Sequence, residues 1–240
     1  MKLEVISLIF RSTKFLKFTE NQMLKYCKNF DDIEVSHRII ANDATKNVLE
    51  AATDCSIPVW EFNNTNPNEY YINRVYRAYN YGIKTSEADL VCIVNSDNGY
   101  HEDWLLPLVE WHKKGFLPAS RLIESGKMPS GTNGITKYFG SSTENYDEEG
   151  FKAWAKSYMS PGILKGGLYM PALFDKNEFL AAGMYPEGNI YNNGIGTCNG
   201  RVVIAGDAWF FKKFEKKTGR QHVTPSNSLV YHIQEGEKDE

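Results

Sequence analysis

The chain has 240 residues, enough for one large domain, and 42% of them are hydrophobic, which excludes a disordered protein. Its net charge of −3 gives no sign of binding to nucleic acid or to an anionic membrane. Cys27, Cys55, Cys92 and Cys198 lie far apart, so neither a zinc site nor a dense disulfide framework is expected. The sequence has no signal-peptide pattern at its start and no run of roughly 20 apolar residues. We therefore expect a cytoplasmic protein with no transmembrane segment and no nucleic-acid partner.

The first half of the chain alternates between strand-like and helix-like patterns. Runs rich in β-branched and apolar residues predict strands at 3–10, 33–41, 57–62 and 89–95. Apolar residues at helical spacing predict helices between them, at 15–29, 45–52 and 66–83. A fourth helix is expected after the last of these strands.

Local signals mark the ends of two of these helices. The third begins with Asn66 as its cap, Pro67 in the first position and Glu69 three residues after the cap. In the fourth helix, Glu102 stands in the expected first turn and Gly115 near the end. Strands separated by helices predict an α/β protein with an open, mostly parallel sheet flanked by helices. Because ligands bind at the carboxyl ends of such strands, the loops after residues 10, 41 and 95 are expected around one crevice.

The second half of the chain is less regular. Residues 125–150 have the composition of a long surface loop, and 188–200 is a second glycine-rich stretch. Strands are expected at 168–174 and 228–233, and helices at 176–182 and 208–217. Asp207 is placed to cap the last helix, and the charged segment 235–240 is expected to fray.

Asp97 is the first candidate for chemistry. It follows the most continuous apolar strand pattern, so its carboxylate is expected at the crevice. With Asn95, Ser96 and Asn98 it forms a cluster of oxygen donors, which suits Mg²⁺ or Mn²⁺ bridging a diphosphate. The same residue types are common in turns, and this segment alone does not decide between the two interpretations.

Three further residues have both a functional and a structural interpretation. Asp43 also follows a strand. It either accepts a hydrogen bond from a nucleobase or a ribose hydroxyl, or it is a turn residue or helix cap. Asp207 is either a general base for an incoming hydroxyl or the N-cap of the last helix. The local pattern favours the N-cap. His232 ends the last strand, where a lone histidine is more often packed or exposed than a metal ligand.

Taken in order, several segments resemble the family 2 type of glycosyltransferase with the GT-A fold. VISLIFRS is similar to the first strand of the family, and NDAT stands where the family has an Asp-Asp-Gly-Ser turn. The segment NYGIKTSEADLVCIVNSDN, which begins at Asn80, is similar to the stretch from an Asn-x-Gly-Ile helix end to the metal strand. GDAWFFKKF resembles the helix with the catalytic acidic pair, and LVYH the terminal strand with a metal-binding histidine. The order and spacing of these segments agree over most of the chain.

This resemblance implies a single GT-A domain, with a nucleotide-sugar-binding half at 1–115 and an acceptor-binding and catalytic half at 116–240. It implies an inverting transfer with Asp207 as general base, and Mn²⁺ or Mg²⁺ as cofactor on Asp97, His232 and Asn95. The acceptor is a glycan or another hydroxyl compound, and the donor is a nucleotide sugar, most simply a UDP-sugar. The implied donor-binding residues are Arg11, Ser12, Asp43, Asn80, Ser96 and Asp97.

Two residues depart from the pattern of the family. Asn95 replaces the first aspartate of the Asp-x-Asp motif, which weakens the expected metal binding. Gly206 replaces the glutamate of the acidic pair, so one carboxylate of the pair is left. The absence of a Gln-x-x-Arg-Trp motif after the last helix disfavours a processive polysaccharide synthase and favours single-sugar addition.

These departures leave an alternative from another class, a domain of the same fold that has lost the chemistry and only binds a nucleotide sugar or a carbohydrate. A nucleotidyltransferase is disfavoured, because the segment RSTKFLKF after the first strand contains no glycine. A dinucleotide-dependent dehydrogenase is disfavoured as well, because no Gly-x-Gly-x-x-Gly motif follows a strand.

Overall fold

A computed structural model of the chain describes residues 1–30, 32–65, 70–196 and 200–236. The helices are α1 (Thr13–Tyr26), α2 (Lys46–Ala52), α3 (Tyr71–Thr85), α4 (Leu106–Lys113), α5 (Glu148–Tyr158), α6 (Lys176–Ala181) and α7 (Gly206–Thr218). The strands are β1 (Lys2–Ile9), β2 (Glu34–Asn42), β3 (Val59–Phe62), β4 (Leu90–Val94), β5 (Asn98–Gly99), β6 (Leu117–Pro118), β7 (Arg121–Glu124), β8 (Ile135–Thr136), β9 (Ile163–Lys165), β10 (Ala172–Asp175), β11 (Ile190–Tyr191), β12 (Gly194–Ile195), β13 (Val202–Ile204), β14 (His222–Pro225) and β15 (Leu229–His232). The predicted helix start at 66–69, and Cys198, lie outside the described residues. In the described part of the chain, no helix combines the length and the apolar character that crossing a bilayer requires.

A five-stranded sheet organises the first half of the chain, in the order β10-β4-β1-β2-β3. Strands β1, β2, β3 and β4 run parallel to one another, with helices in the connections that parallel pairing needs, and β10 pairs antiparallel with β4 at one edge. The predicted open, mostly parallel sheet flanked by helices is therefore confirmed. The antiparallel edge strand of this sheet, β10, comes from the second half of the chain.

Side chains of the central strands alternate between two hydrophobic clusters. In β1, Leu3, Val5 and Ile9 belong to one cluster, whereas Ile6 and Leu8 belong to the other. Helices α1 and α4 contribute to the first cluster, and α3, α6 and α7 to the second. Burial on both faces is the physical reason for the nearly continuous apolar sequences of β1 and β4.

Helix α3 approaches the sheet closely at Gly82. A β-carbon at this position would lie 3.0 Å from Cγ2 of Ile6 and 3.1 Å from Cγ1 of Ile40. A larger residue would therefore push α3 away from β1 and β2. The glycine of the Asn-x-Gly-Ile segment thus has a packing role.

Strand β15 connects the second half of the chain to the end of β4. It pairs antiparallel with β5 and parallel with β7, in a sheet of order β5-β15-β7-β8. In these registers His232 lies opposite Asn98 on one side and Glu124 on the other. Since Asn98 is the residue after Asp97, the pairing brings His232 next to that carboxylate.

Segment 125–150, predicted to be a surface loop, contributes to the core and begins a helix. Phe139 is buried and belongs to a third hydrophobic cluster with Phe151 and Tyr231. Asp147 caps α5, and its Oδ1 accepts a hydrogen bond from the N–H of Gly150 at 3.0 Å. The acidic residues 147–149 of this segment therefore form the N-terminus of α5, where carboxylates are favourable.

Two helices begin elsewhere than predicted. Helix α4 begins at Leu106 rather than beside Glu102, and Pro107 stands in its first turn, where proline is tolerated. Helix α7 begins one residue earlier than Asp207, with Ala205 as its N-cap. The prediction that Asp207 caps this helix is therefore wrong, and its carboxylate lies in the first turn.

Three buried histidines make the stability of the fold depend on pH. His101, His112 and His222 are 3%, 7% and 6% exposed, and burial lowers the pKa of each to about 4. In an unfolded chain a histidine has a pKa of about 6.5. Between these values the unfolded chain binds protons that the folded chain does not. The contribution of these residues to the free energy of unfolding is therefore lost as the pH falls from about 6.5 to about 4.

The variant His222→Phe tests this prediction. The His222 ring lies 4.6 Å from the ring of Phe211 and 5.5 Å from that of Tyr169, so a benzene ring suits its surroundings. We expect the variant to lose less stability than the wild type between pH 7 and pH 4, by up to about 3 kcal/mol. Urea unfolding at several pH values measures the difference, and parallel curves for the two proteins would contradict it.

Candidate functional site

A cleft of about 520 Å³ lies at the carboxyl ends of the central strands. Phe10 lines it after β1, Asn42 at the end of β2, and residues 95–97 after β4. His232 and Glu235, from the end of β15 and the segment after it, complete this side. The strand ends that were expected around one crevice therefore meet in one cleft.

Helix α3 forms another wall of the cleft. Tyr71, Ile72, Val75 and Tyr79 line it at helical spacing, together with Arg74. This wall is largely apolar and aromatic, and Arg74 is its charged group. An apolar wall with a few fixed polar groups is typical of sites for small molecules.

Asp97 and His232 form the polar centre of the cleft. Nε2 of His232 lies 3.4 Å from Oδ2 of Asp97, and the N–H of Glu235 donates to the same oxygen at 3.2 Å. Burial raises the pKa of the Asp97 carboxyl, although His232 and the N–H of Glu235 act in the opposite direction. The two side chains meet because β15 pairs with β5, the strand that directly follows Asp97.

The other ring nitrogen of His232 faces a second carboxylate. Its Nδ1 lies 3.3 Å from Oε1 of Glu124, and Gln234 donates to Oε2 of Glu124 at 2.8 Å. Burial would lower the pKa of His232, but the carboxylates of Asp97 and Glu124 outweigh it and raise this pKa above its ordinary value. Glu124 thus orients the ring so that Nε2 faces Asp97.

The donor atoms of this pair fit a divalent metal ion. Two ligands at about 2.1 Å from one ion, at right angles, lie roughly 3 Å apart, close to the separation of Asp97 and His232. A carboxylate on the far nitrogen, as Glu124 provides, is usual for a histidine that binds metal. Within the described ranges no three His, Cys, Asp or Glu side chains form a metal site. Most of the ligands would therefore come from a bound diphosphate and water, as is usual for Mg²⁺.

Asn95 and Ser96 are fixed by neighbouring helices. The hydroxyl of Tyr79 donates to the carbonyl of Val94 at 2.8 Å and lies 3.4 Å from Oδ1 of Asn95. The hydroxyl of Thr19, on α1, donates to the carbonyl of Ser96 at 2.9 Å. Both residues line the cleft beside Asp97.

Asp43 lies beside the cleft and supports a residue that lines it. Its backbone has a φ of 51°, a left-handed conformation that aspartate tolerates, and it caps no helix, because the N-cap of α2 is Thr45. Its Oδ2 accepts from Nη1 of Arg74 at 3.1 Å. Both side chains are largely buried, so this ion pair fixes Arg74 in the cleft wall.

The other predicted donor-binding residues have structural contacts. The hydroxyl of Ser12 caps α1, accepting from the N–H of Phe15 at 3.4 Å, and the Arg11 guanidinium lies 4.6 Å from the Phe10 ring centroid. Asn80 makes two hydrogen bonds with the backbone of Tyr185, at 2.9 and 3.0 Å. Arg11, Ser12 and Asn80 are not part of the cleft lining.

Asp207 is held at the start of α7, beside α3. Its N–H donates to the hydroxyl of Tyr76 at 3.0 Å, and its Oδ1 accepts from the N–H of Ala208 at 2.6 Å. Burial raises the pKa of Asp207, opposed by the N–H of Ala208. A β-carbon on Gly206 would lie 2.5 Å from the Tyr76 ring, which explains why no side chain precedes Asp207. Asp207 does not line the cleft that contains Asp97.

Several residues of the site were missed from the sequence. Arg74 stands on the cleft face of α3, and Glu124 ends β7, but neither position carries a local signal for a site. Glu235 was expected to fray, which is wrong. Its Oε1 accepts from Nζ of Lys14 at 2.9 Å and its Oε2 from the N–H of Thr143 at 2.8 Å.

No protein-family model matches the sequence, and no curated protein matches it. Solved structures with the GT-A fold do match. S. aureus TarS 1-349 gives a TM-score of 0.60 at 14% identity, over 97% of this chain and 60% of that chain. The mannosyltransferase PcManGT from Pyrobaculum calidifontis, in complex with GDP-Man and Mn²⁺, gives a TM-score of 0.58 at 13% identity, over 96% of this chain and 56% of that chain. The structure of GalNAc-T7 with UDP, GalNAc and Mn²⁺ gives a TM-score of 0.60 at 12% identity, over 97% of this chain and 44% of that chain.

These likenesses confirm the GT-A fold that the sequence resemblance implied. The chain spans 60% or less of the length of these structures. In open α/β sheets ligands bind at the carboxyl ends of the strands, which is where the cleft lies.

Proposed function

We propose that this chain, whose fold is that of the GT-A glycosyltransferases, moves a sugar from a nucleoside-diphosphate donor to an acceptor hydroxyl. The observation that carries the proposal is the pair of Asp97 and His232, 3.4 Å apart in the cleft at the end of β4. A fold hosts many functions, so the argument for transfer rests on this pair. A carboxylate and an imidazole facing a nucleotide-sized cleft suit the binding of a diphosphate through a metal ion.

We assign Mn²⁺ or Mg²⁺ to Asp97 and His232, with Asn95 beside them. When bound, such an ion neutralises the charge that develops on the leaving diphosphate. Glu124 orients His232 so that Nε2 is the ring nitrogen that would hold the ion, and the N–H of Glu235 keeps Asp97 in place. The Mn²⁺ in the PcManGT and GalNAc-T7 structures supports the assignment.

We propose an inverting transfer with Asp207 as the general base. The acceptor oxygen bonds to the anomeric carbon while the bond from that carbon to the diphosphate oxygen breaks, and the hydroxyl proton passes to Asp207. Because burial raises the pKa of Asp207, it is a stronger base than an exposed aspartate. Its backbone contact with Tyr76 ties it to α3, the helix that forms the cleft wall.

The remaining assignments follow from this proposal. The donor is a nucleotide sugar, most simply a UDP-sugar, and the acceptor is a glycan or another hydroxyl compound. The GDP-Man in the PcManGT complex and the UDP in the GalNAc-T7 complex support a nucleotide ligand. The cytoplasmic location and the division into a nucleotide-sugar-binding half (1–115) and an acceptor-binding half (116–240) stay predictions.

Thermal unfolding with a panel of nucleotide sugars, each with Mn²⁺ or with a chelator, tests donor binding. A ligand at 100 times its dissociation constant stabilises the folded state by about 2.7 kcal/mol, which gives a clear rise in melting temperature. We expect such a rise with at least one donor, and expect the chelator to abolish it. If no donor raised the melting temperature in the presence of Mn²⁺, the proposed function would be wrong.

The variant Asp207→Asn separates transfer from binding. The amide keeps the shape of the side chain but does not take up the acceptor proton, so we expect transfer to fall at least about 100-fold. The donor-induced rise in melting temperature is expected to stay, because Asp207 does not line the donor cleft. Product formation with a radiolabelled donor measures the first effect, and unchanged turnover would exclude Asp207 as the base.

The position of Asp207 outside the cleft lining also favours one alternative, a domain that binds nucleotide sugars without transferring them. Under this alternative the donor raises the melting temperature in a metal-dependent way, as in the main proposal. Neither sugar transfer nor hydrolysis of the donor is then detected with any acceptor.

A further inference from the structure

The side chain of Gln234, two residues after His232, joins a loop to the carboxylate that contacts His232. Gln234 is 9% exposed, and its backbone has a φ of 58°. A residue with a long side chain is uncommon in this left-handed region, and it stays there where its surroundings fix it. The contacts of its side chain provide that constraint. The proposed function assigns no role to Gln234.

The hydrogen-bond partners of Gln234 determine which way its amide faces. Its Oε1 accepts from the hydroxyl of Ser125 at 3.0 Å and from the N–H groups of Gly126 and Met128, both at 3.2 Å. A backbone N–H is always a donor, so the oxygen of the amide has to stand on this side. Nε2 of Gln234 therefore faces Glu124, and it donates to Oε2 of that carboxylate at 2.8 Å.

The carboxylate of Glu124 extends this order to the ring of His232. Glu124 is 5% exposed, and its Oε1 lies 3.3 Å from Nδ1 of His232. In its ionised form a carboxylate only accepts hydrogen bonds, so Nδ1 has to carry a proton. A histidine that binds a metal ion through one ring nitrogen keeps its single proton on the other. Nε2, the nitrogen 3.4 Å from Asp97, is therefore the one left for the ion.

We infer that Gln234 is a positioning residue that, through Glu124, fixes the tautomer of His232 in which Nε2 is free to bind the metal ion. Gln234 donates to the carboxylate from one side, and Nδ1 of His232 donates to it from the other. A change that reverses a donor and an acceptor in this chain moves the ring proton or breaks the chain. The inference rests on the proposed function, because it takes the ligand of His232 to be a divalent metal ion.

Two single variants disturb this order in different ways. In Glu124→Gln the oxygen of the new amide accepts from Gln234, so its NH₂ group faces Nδ1 of His232 and favours the proton on Nε2. In Gln234→Glu two buried carboxylates face each other, and Glu124 loses its donor. With UDP or GDP present, we expect both variants to bind Mn²⁺ about 10- to 100-fold more weakly than the wild type. Titration with Mn²⁺ followed by electron paramagnetic resonance measures this affinity without turnover.

The exchanged variant Glu124→Gln/Gln234→Glu separates positioning from packing. The carboxylate at position 234 accepts from the N–H groups of Gly126 and Met128 and from the NH₂ group at position 124. The amide oxygen at position 124 then accepts from Nδ1 of His232. The exchange restores the order of donors and acceptors at the same net charge. We therefore expect an Mn²⁺ affinity within about threefold of the wild type, whereas a role in packing alone predicts that the two losses add.

Nitrogen NMR of the histidine-labelled protein, with the same nucleotide and Mg²⁺, reads the tautomer directly. We expect the proton on Nδ1 of His232 in the wild type and the exchanged variant, and on Nε2 in Glu124→Gln. The spectrum of His232→Gln identifies the signal.

Asn133→Ala is the matched control for the loss of side-chain hydrogen bonds. Asn133 also has a left-handed backbone, with a φ of 64°, and its Nδ2 donates to the carbonyls of Lys165 and Gly166 at 3.1 and 3.2 Å. It lies outside the cleft lining, so the variant should lower the melting temperature and keep the wild-type Mn²⁺ affinity.

The outcomes separate this inference from the proposed function. Wild-type Mn²⁺ affinity in either single variant, or an exchanged variant as weak as the weaker single variant, would overturn the inference and leave glycosyl transfer intact. Glu124→Gln leaves every group of the chain with a partner, so it remains decisive if Gln234→Glu does not fold. Wild-type protein that binds no Mn²⁺ with either nucleotide would overturn the metal assignment of the proposed function and the inference together.

Discussion

The variant Asp97→Asn is expected to transfer sugar at least about 100-fold more slowly than the wild type and to fold normally. The substitution removes the carboxylate that, with His232, faces the donor diphosphate in the cleft. Its amide oxygen still accepts from the N–H of Glu235, and the amide avoids the cost of burying a charge. The melting temperature without ligand should therefore stay within a few degrees of the wild-type value. The donor-induced rise with Mn²⁺ should be strongly reduced.

Asp103→Asn is the matched control for this variant. Asp103 is an exposed aspartate in the turn after β5, outside the cleft lining, so turnover and donor-induced stabilisation should both match the wild type. Equal turnover of Asp97→Asn and Asp103→Asn would rule out a role of Asp97 in the reaction. A loss of folding in Asp97→Asn alone would mean that the carboxylate is structural.

The variant Glu4→Ala is expected to lower the free energy of unfolding by about 3–5 kcal/mol. Glu4 on β1 and Arg38 on β2 form an ion pair across neighbouring strands, and each side chain is 8% exposed. Nε and Nη2 of Arg38 lie 3.0 and 2.9 Å from Oε1 of Glu4. The guanidinium also donates to Thr85 at 3.0 Å and lies 3.9 Å from the ring centroid of Trp60. Truncating Glu4 leaves a guanidinium that is buried, fixed by these contacts and without its counter-charge.

Two comparisons separate the unpaired charge from other effects in urea unfolding. The double variant Glu4→Leu/Arg38→Met removes both charges and fills the space, so it should cost much less than Glu4→Ala. Glu50→Ala removes the partner of Lys46 in a pair whose side chains are 64% and 87% exposed, and it should cause little change. If Glu4→Ala and Glu50→Ala had similar stability, the buried pair would not stabilise the fold.

Periodicity was sufficient to predict the order of strands and helices in the first half of the fold, although not the start of α4. The apolar runs of β1 and β4 and the helical spacing of α3 are local patterns, because each reflects burial of one element against its neighbours. The second half was harder, since its strands are short and the cap of α5 at Asp147 stands inside a polar stretch. There the burial of Phe139 depends on contacts with residues distant in sequence.

Asp97 could be predicted from the sequence because a polar residue after a buried parallel strand lies at the ligand-binding edge of a sheet. The contact of Asp97 with His232 depended on the pairing of β15 with β5. The orientation of His232 depended on Glu124, which lies opposite it in the pairing of β15 with β7. The position of Arg74 on α3 likewise depended on its ion pair with Asp43, in the turn after β2. The sequence by itself therefore determined the order of the elements and the strand ends around the cleft. Only the tertiary structure decided which side chains meet there, because strand pairing joins residues more than 100 positions apart, as with Glu124 and His232.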